Sequence, residues 1–174
     1  MEEKLLAIAD EVIALSASNE QIEVIAVHDQ ETDIRVYKGE LESFTASESQ
    51  GVGIRVVQDG RQGMAYAGSL DMEILKETLS EARDNATFGT FDEMLQIAEP
   101  DNVEPISLDL YNPALKEFAT EDKITLAKEL EEYIMKSDER IVGVESSEYV
   151  DSISASAIVT SSGIRRSSYD GGCY

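Results

Sequence analysis

From Ser152 to Ala157 the chain alternates strictly, with Ile153, Ala155, Ala157 and then Val159 on one side and Ser152, Ser154 and Ser156 on the other. A period of two is the mark of a β-strand with one buried and one polar face. Such a strand needs a covering layer on its apolar face and hydrogen-bonded neighbours along its backbone. The fold must therefore contain a sheet. A second extended segment, Ile22 to His28, carries apolar residues on both parities (Ile22, Val24 and Ala26 against Ile25 and Val27). That pattern predicts a central strand covered on both faces.

Three helical periods supply layers for such a sheet. Leu5, Ile8, Ala9, Val12, Ile13 and Leu15 recur at helical spacing within Glu2 to Ser18. Ser69 can cap a second helix with Leu70, Ile74, Leu75, Leu79 and Ala82 on one face, ending before Gly89. Thr120 can cap a third, with Ile124, Ala127, Leu130, Ile134 and Met135 as its buried stripe. Between them, Asp29 to Asp33 reads as a polar turn, Ile34 to Phe44 as a kinked hairpin about Gly39, and Gln58-Asp59-Gly60-Arg61 as a second turn following Val52, Ile54 and Val56. Phe88 to Glu117, with Pro100, Pro105 and Pro113, reads as a long acidic connection with room for a short helix at Asp92 to Ile97. Arg140 to Val144 is a candidate short strand. Strands that come in runs favour α+β, with amphipathic helices packed on a mainly antiparallel sheet. The expected organisation is one domain over residues 1–174, in two similar halves at about 1–88 and 114–174.

Charge narrows the partners. Fourteen Lys and Arg against 36 Asp and Glu leave a formal net charge of -22. Nucleic acids and anionic membranes both require a basic surface, so neither is an expected partner. No apolar run is long enough to span a membrane, the first residues lack the pattern of a secretory signal, and Cys173 is the only cysteine. A cytoplasmic location follows as the expectation.

Chemistry is limited by counting. His28 is the only histidine, which removes every two-histidine metal site and every histidine pair. A Ser-His-Asp arrangement could still use His28 with Asp29 or Asp33, but no G-x-S-x-G elbow is present. Cys173 sits beside the terminal Tyr174, a poor setting for a preorganised nucleophile. No calcium loop of the D-x-[DN]-x-[DN]-G type occurs. Gly51-Val52-Gly53-Ile54-Arg55-Val56 lacks the third glycine of a dinucleotide fingerprint and leads into a strand. The glycines at 51, 53, 60 and 63 are better explained by turns and close approach of strands. No catalytic, metal or cofactor-binding residue is assigned.

The segments Tyr37-Lys38-Gly39-Glu40-Leu41-Glu42, Gly51 to Val56 and Asp59-Gly60-Arg61-Gln62-Gly63-Met64-Ala65, followed by Leu110-Tyr111-Asn112-Pro113, Asp138 to Ile141 and Thr160-Ser161-Ser162-Gly163, resemble the TldD/PmbA family, on its PmbA (TldE) side. The residues that carry the likeness are Gly39, Gly51, Gly53, Arg55, Gly60, Gly63, Pro113 and Gly163. The resemblance implies the N-terminal region of a much longer subunit, in a two-subunit cytoplasmic metallopeptidase that processes peptides and is described as a modulator of DNA gyrase. It places zinc on an H-E-x-x-x-H helix of the TldD-type partner. No position of this chain matches a ligand of that helix, so the chain is expected to hold no cofactor, to be inactive alone, and to be a truncated form lacking the metal-bearing C-terminal domain.

Two functions compete on this reading. One is a PmbA/TldE-like fragment that shapes the assembly and its peptide cleft. The other is a free-standing acidic domain that binds a protein partner by strand addition. A cut architecture would leave the strand with Ile153, Ala155, Ser156 and Ala157 at an unpaired edge, and self-association through that edge is expected beside a TldD-type partner.

Overall fold

The computed structural model describes residues 1–101, 103, 106 and 108–174; Pro105, in the long connection, lies outside them. The order of elements is α1 (Glu2–Ile13), β1 (Glu20–Tyr37), β2 (Glu40–Gln58), β3 (Arg61–Ala67), α2 (Met72–Phe88), α3 (Ala114–Glu117), α4 (Thr120–Ser137), β4 (Ser147–Thr160) and β5 (Arg165–Cys173). The strands form one sheet in the order β3-β2-β1-β4-β5, with β1 at its centre, as expected for the Ile22 to His28 segment. This is the α+β architecture of helices with an antiparallel sheet.

Both hairpin turns follow from local chemistry. Lys38 and Gly39 have φ of 53° and 76°, and Asp59 and Gly60 have 50° and 66°. Two consecutive residues in the left-handed region match the right-handed twist of the flanking strands, which is why Asp-Gly and its relatives close tight hairpins. Past the second turn β2 and β3 pair antiparallel from Gln58↔Arg61 to Val52↔Ala67.

The chain forms two compact units that do not follow sequence order. Unit 1 comprises Met1–His28, Ser49–Leu108 and Ser154–Tyr169; unit 2 comprises Asp29–Glu48, Asp109–Ile153 and Asp170–Tyr174. Unit 1 has an extensive apolar core. Leu5, Ala9 and Val12 of α1 and Leu75, Leu79 and Ala82 of α2 meet Ile22, Val24 and Ala26 of β1, Val52, Ile54 and Val56 of β2, and Ala155, Ala157 and Val159 of β4. Gly63 lets β3 lie directly on α2, since a Cβ there would stand 2.1 Å from the Ala82 carbonyl oxygen and 2.2 Å from the Ala86 nitrogen. Unit 2 has a small core of Ile34, Val36, Ala127 and Tyr149, with Ile124 at its margin.

Several expectations are corrected. Asp29 to Asp33 is not a turn but the middle of β1, where neighbouring strands supply the backbone bonds that a polar sequence does not advertise. Ile25 is 44% exposed, so β1 is covered on one face only. The first helix stops at Ile13. Asp71 rather than Ser69 caps α2, its carboxylate accepting from the Glu73 and Ile74 N–H groups. Asp92 to Ile97 holds only a turn, although Ile97 is buried and donates its N–H to Gln21 Oε1 at 2.9 Å. Ala119, not Thr120, is the N-cap of α4, and Arg140 to Val144 is not a strand. The alternating strand is β4 and its apolar face is buried as expected, but β1 and β5 lie on either side of it. Ser161 and Ile22 exchange bonds on the β1 side, and Val150 and Tyr174 do so on the β5 side. Ile153, Ala155, Ser156 and Ala157 are therefore interior to the sheet, and no edge for self-association exists there.

Candidate functional site

The stripe of α4 that turns inward in unit 2 is Lys123, Ala127 and Glu131, at i, i+4 and i+8. Of the apolar stripe expected of this helix, Ala127 is buried and Ile124 packs at the margin of the core, whereas Leu130 and Met135 are 46% and 39% exposed. A helix that buries a cation and a carboxylate must find each a partner, because an uncompensated buried charge is costly. Lys123 Nζ forms an ion pair with Asp151 of β4, both side chains being less than one-tenth exposed. The same ammonium lies 5.7 Å from the centre of the Tyr149 ring. That ring meets Phe118 edge-on at 5.9 Å and 64°. Burial first, and then the neighbouring Asp151 carboxylate, push the Tyr149 hydroxyl far above its usual range and keep it a phenol.

At the other end of the stripe, Glu131 accepts the backbone N–H groups of Lys38 and Gly39 at 2.7 and 2.6 Å. These are the two residues of the β1–β2 turn. Charge-assisted bonds to backbone amides are stronger than neutral ones and fix direction as well as distance. Ser147 adds a third contact, donating its hydroxyl to the Ala127 carbonyl at 2.8 Å. These contacts fasten α4 to β1, β2 and β4 within unit 2, and the buried ionisable groups are engaged in doing so.

Among the grooves that open on this unit, two border the polar contacts of α4. One, of about 380 Å³, runs beside the Lys123–Asp151 pair and is bordered by Glu31 and Thr32 of β1, Ala46 and Glu48 of β2, and Lys116. The other, of about 720 Å³, lies between the Lys38-Gly39 turn, α4 and Val142-Gly143-Val144. A zinc ion does not suit this chain's donors: His28 is buried on β1, Cys173 ends β5, and no third nitrogen or sulfur ligand exists in the sequence. Among the described residues no three His, Cys, Asp or Glu side chains gather as a metal site requires.

The residues singled out in the sequence do not converge on one site. Gly39 and Gly60 sit in the two hairpin turns, and Gly163 has φ of 106° in the connection from β4 to β5. Gly63 serves the contact with α2, Gly51 lies 3.2 Å from the Ala67 carbonyl oxygen by its virtual Cβ, and Gly53 faces open space. Arg55 pairs with Glu23 at 3.0 Å across neighbouring strands. Pro113 is the N-cap of α3. The buried polar stripe of α4 was not anticipated, because Lys and Glu at helical spacing ordinarily mark a solvated face.

Helices with an antiparallel sheet, fastened in unit 2 by internal polar contacts, define an α+β fold class. The chain belongs to the PmbA/TldD metallopeptidase family: residues 22–86 match PmbA/TldA metallopeptidase domain 1, and residues 113–174 match the PmbA/TldA metallopeptidase central domain. No curated protein matches it in sequence. Among solved structures it is similar to a candidate modulator of a DNA gyrase from Thermotoga maritima, with a TM-score of 0.80 and 20% identity over 96% of this chain and 37% of that one. A candidate modulator of DNA gyrase from Bacteroides thetaiotaomicron gives 0.75 and 19% over 97% and 38%. TldE from Thermococcus kodakarensis gives 0.73 and 17% over 98% and 37%. These likenesses show a shared fold, and the chain spans less than two-fifths of the length of each of those proteins.

Proposed function

We propose that the chain is the non-catalytic N-terminal part of a PmbA/TldE-like subunit in a cytoplasmic zinc metallopeptidase assembly, where it shapes the assembly and the cleft that receives peptides. The observation that carries this reading is the pair of family matches in order, 22–86 and 113–174. The engagement of Lys123, Asp151 and Glu131 in internal locks supports a scaffold. The TldE name of one similar structure supports the PmbA/TldE side. Zinc and its chemistry would be supplied by a TldD-type partner subunit, since this chain lacks the donors. No helix of the described residues is long and apolar enough to cross a membrane.

The test is reconstitution. The purified chain is mixed with a TldD-type subunit and followed by size exclusion with light scattering, alongside hydrolysis of an unstructured peptide. The expected result is a stable hetero-complex and no hydrolysis by the chain alone. Chelator-sensitive hydrolysis by the chain alone, or no association with the TldD-type subunit, overturns the proposal.

A further inference from the structure

Glu40 to Glu48, the first stretch of β2, is exposed throughout. β1 is its neighbour on one side. On the other, β3 takes only Val52 to Gln58, so among the described residues no strand pairs with Glu40–Glu48 there. Among the same residues no loop or helix backbone bonds to it either. The turn at Lys38-Gly39 sets Tyr37 opposite Glu40, and the Arg35–Glu42 contact at 2.8 Å keeps that pairing further along. In such a hairpin Glu40, Glu42 and Phe44 direct their backbone groups to β1, while Leu41, Ser43 and Thr45 direct theirs to the open edge. Proteins that must keep an edge unused place Lys, Pro or a cover on it. From Leu41 to Ser47 there is no Lys, Arg or Pro, and the only charged residue is Glu42, whose carboxylate Arg35 holds. Glu42 and Phe44 lie on one face of the strand, and Leu41, Ser43 and Thr45 on the other.

We propose that this edge pairs with the same edge of a second copy of the chain, antiparallel about a two-fold axis at Ser43, so that two five-stranded sheets join as one. The reading stands on the sheet edge and does not depend on membership of a peptidase assembly. Charge selects the register, because like charges directly opposite destabilise a strand pair. An axis at Thr45 would set Glu42 against Glu48 of the second copy, and an axis at Phe44 would set Glu40 against Glu48. With the axis at Ser43, Glu42 meets Phe44, Glu40 meets Ala46 and Leu41 meets Thr45, so no two carboxylates stand opposite. The outward N–H groups of Leu41, Ser43 and Thr45 then each find a carbonyl of the second copy. The two Glu42 side chains face each other only on a diagonal of about 7–8 Å. Each keeps its Arg35, which also lies 3.5 Å from Glu148. Leu41 and Phe44, 42% and 45% exposed, gain cover from Thr45 and Glu42 of the second copy. The net charge of -22 on each copy opposes approach at long range, so this short contact is weak and strengthens as salt screens the repulsion.

The experiment is sedimentation velocity of the full chain alone, over a range of protein concentrations at low and moderate salt. A reversible monomer–dimer equilibrium is expected, tightening as salt rises. Ser43→Lys makes each chain less acidic, so general repulsion falls, yet it sets two ammonium groups across the axis and should weaken the dimer about fivefold. Thr45→Pro removes an outward N–H without taking a bond from the β1 ladder, and should weaken the dimer more than about tenfold. Both variants are read beside an unchanged circular dichroism spectrum, and Ser43→Lys keeps every backbone donor should proline disturb the hairpin. The register is read by dipolar electron spin resonance with a spin label at Leu41→Cys, Ser43→Cys or Thr45→Cys, each combined with Cys173→Ser to remove the exposed native thiol. Separation between copies should be shortest at 43, and longer and equal at 41 and 45. A monomer at every concentration and salt would overturn the proposal and leave the edge to a different protein. A dimer that Ser43→Lys tightens, or a separation shortest at 41 or 45, would overturn it as well.

Discussion

Unit 1 and unit 2 draw on the same long strands but are held by different forces. In unit 1 eighteen buried apolar residues form one cluster, whereas in unit 2 only four do. Apolar packing is non-directional and spreads its contribution over many contacts. Unit 2 instead relies on a few directed contacts: the Lys123–Asp151 pair and the Glu131 bonds to the Lys38 and Gly39 amides. The lesson concerns failure. A core of many contacts should yield gradually to substitution, while a polar lock should fail when one member is removed.

The largest expected effect is Asp151→Ala, which strands the Lys123 ammonium in a buried position and should cost about 3–5 kcal/mol in denaturant unfolding. Replacing the pair together, Lys123→Met with Asp151→Leu, should recover most of that loss, because two apolar groups leave nothing unpaired. Gly63→Ala attacks unit 1 where its tolerance ends. The new methyl would press into α2 backbone at Ala82 and Ala86, and about 3 kcal/mol should be lost. Glu131→Ala should cost about 1–3 kcal/mol by leaving two turn amides without their acceptor, and should raise hydrogen exchange first at Lys38 and Gly39.

The smallest effect depends on pH. Burial opposes ionisation of Glu20, but the Arg83 guanidinium and the Ala17 N–H outweigh it and hold the carboxyl below its usual range. A lowered folded-state value means that the stabilisation is present in full above the ordinary carboxylate range and is lost as pH falls through the folded value. Arg83→Met should therefore be less stable than the parent at neutral pH, and the two thermal midpoints should converge in acid. A constant gap at every pH would detach Glu20 from this contact.

The sequence disclosed unit 1 more readily than unit 2, for physical reasons. Ile22, Val24 and Ala26, the alternation of Ile153, Ala155, Ala157 and Val159, and the Asp59-Gly60 turn are local patterns, and each forms the expected element. The position of β4 between β1 and β5 is not local, since it depends on Val150 meeting Tyr174 and Ile22 meeting Ser161. That is how an interior strand came to be expected at an edge, while the exposed part of β2 went unnoticed beside its Gly39 turn. The α4 stripe was hidden by its own chemistry. Lys123 and Glu131 look like solvent-facing residues until Asp151 and the Lys38-Gly39 amides are placed opposite them. Of the family pattern, Gly39, Gly60, Gly63 and Gly163 now have backbone or packing reasons, whereas nothing in the structure explains Gly53.

Native-state hydrogen exchange on Asp151→Ala, compared with the parent chain, tests the contrast between the units most directly, because it reads local opening separately along the sequence. Protection should fall at Ile34, Val36, Ala127 and Tyr149 and stay near parental levels at Val24, Ile54, Leu79 and Ala157. Equal loss in both sets, or no loss in the first, would contradict the claim that directed polar contacts hold unit 2 while apolar packing holds unit 1.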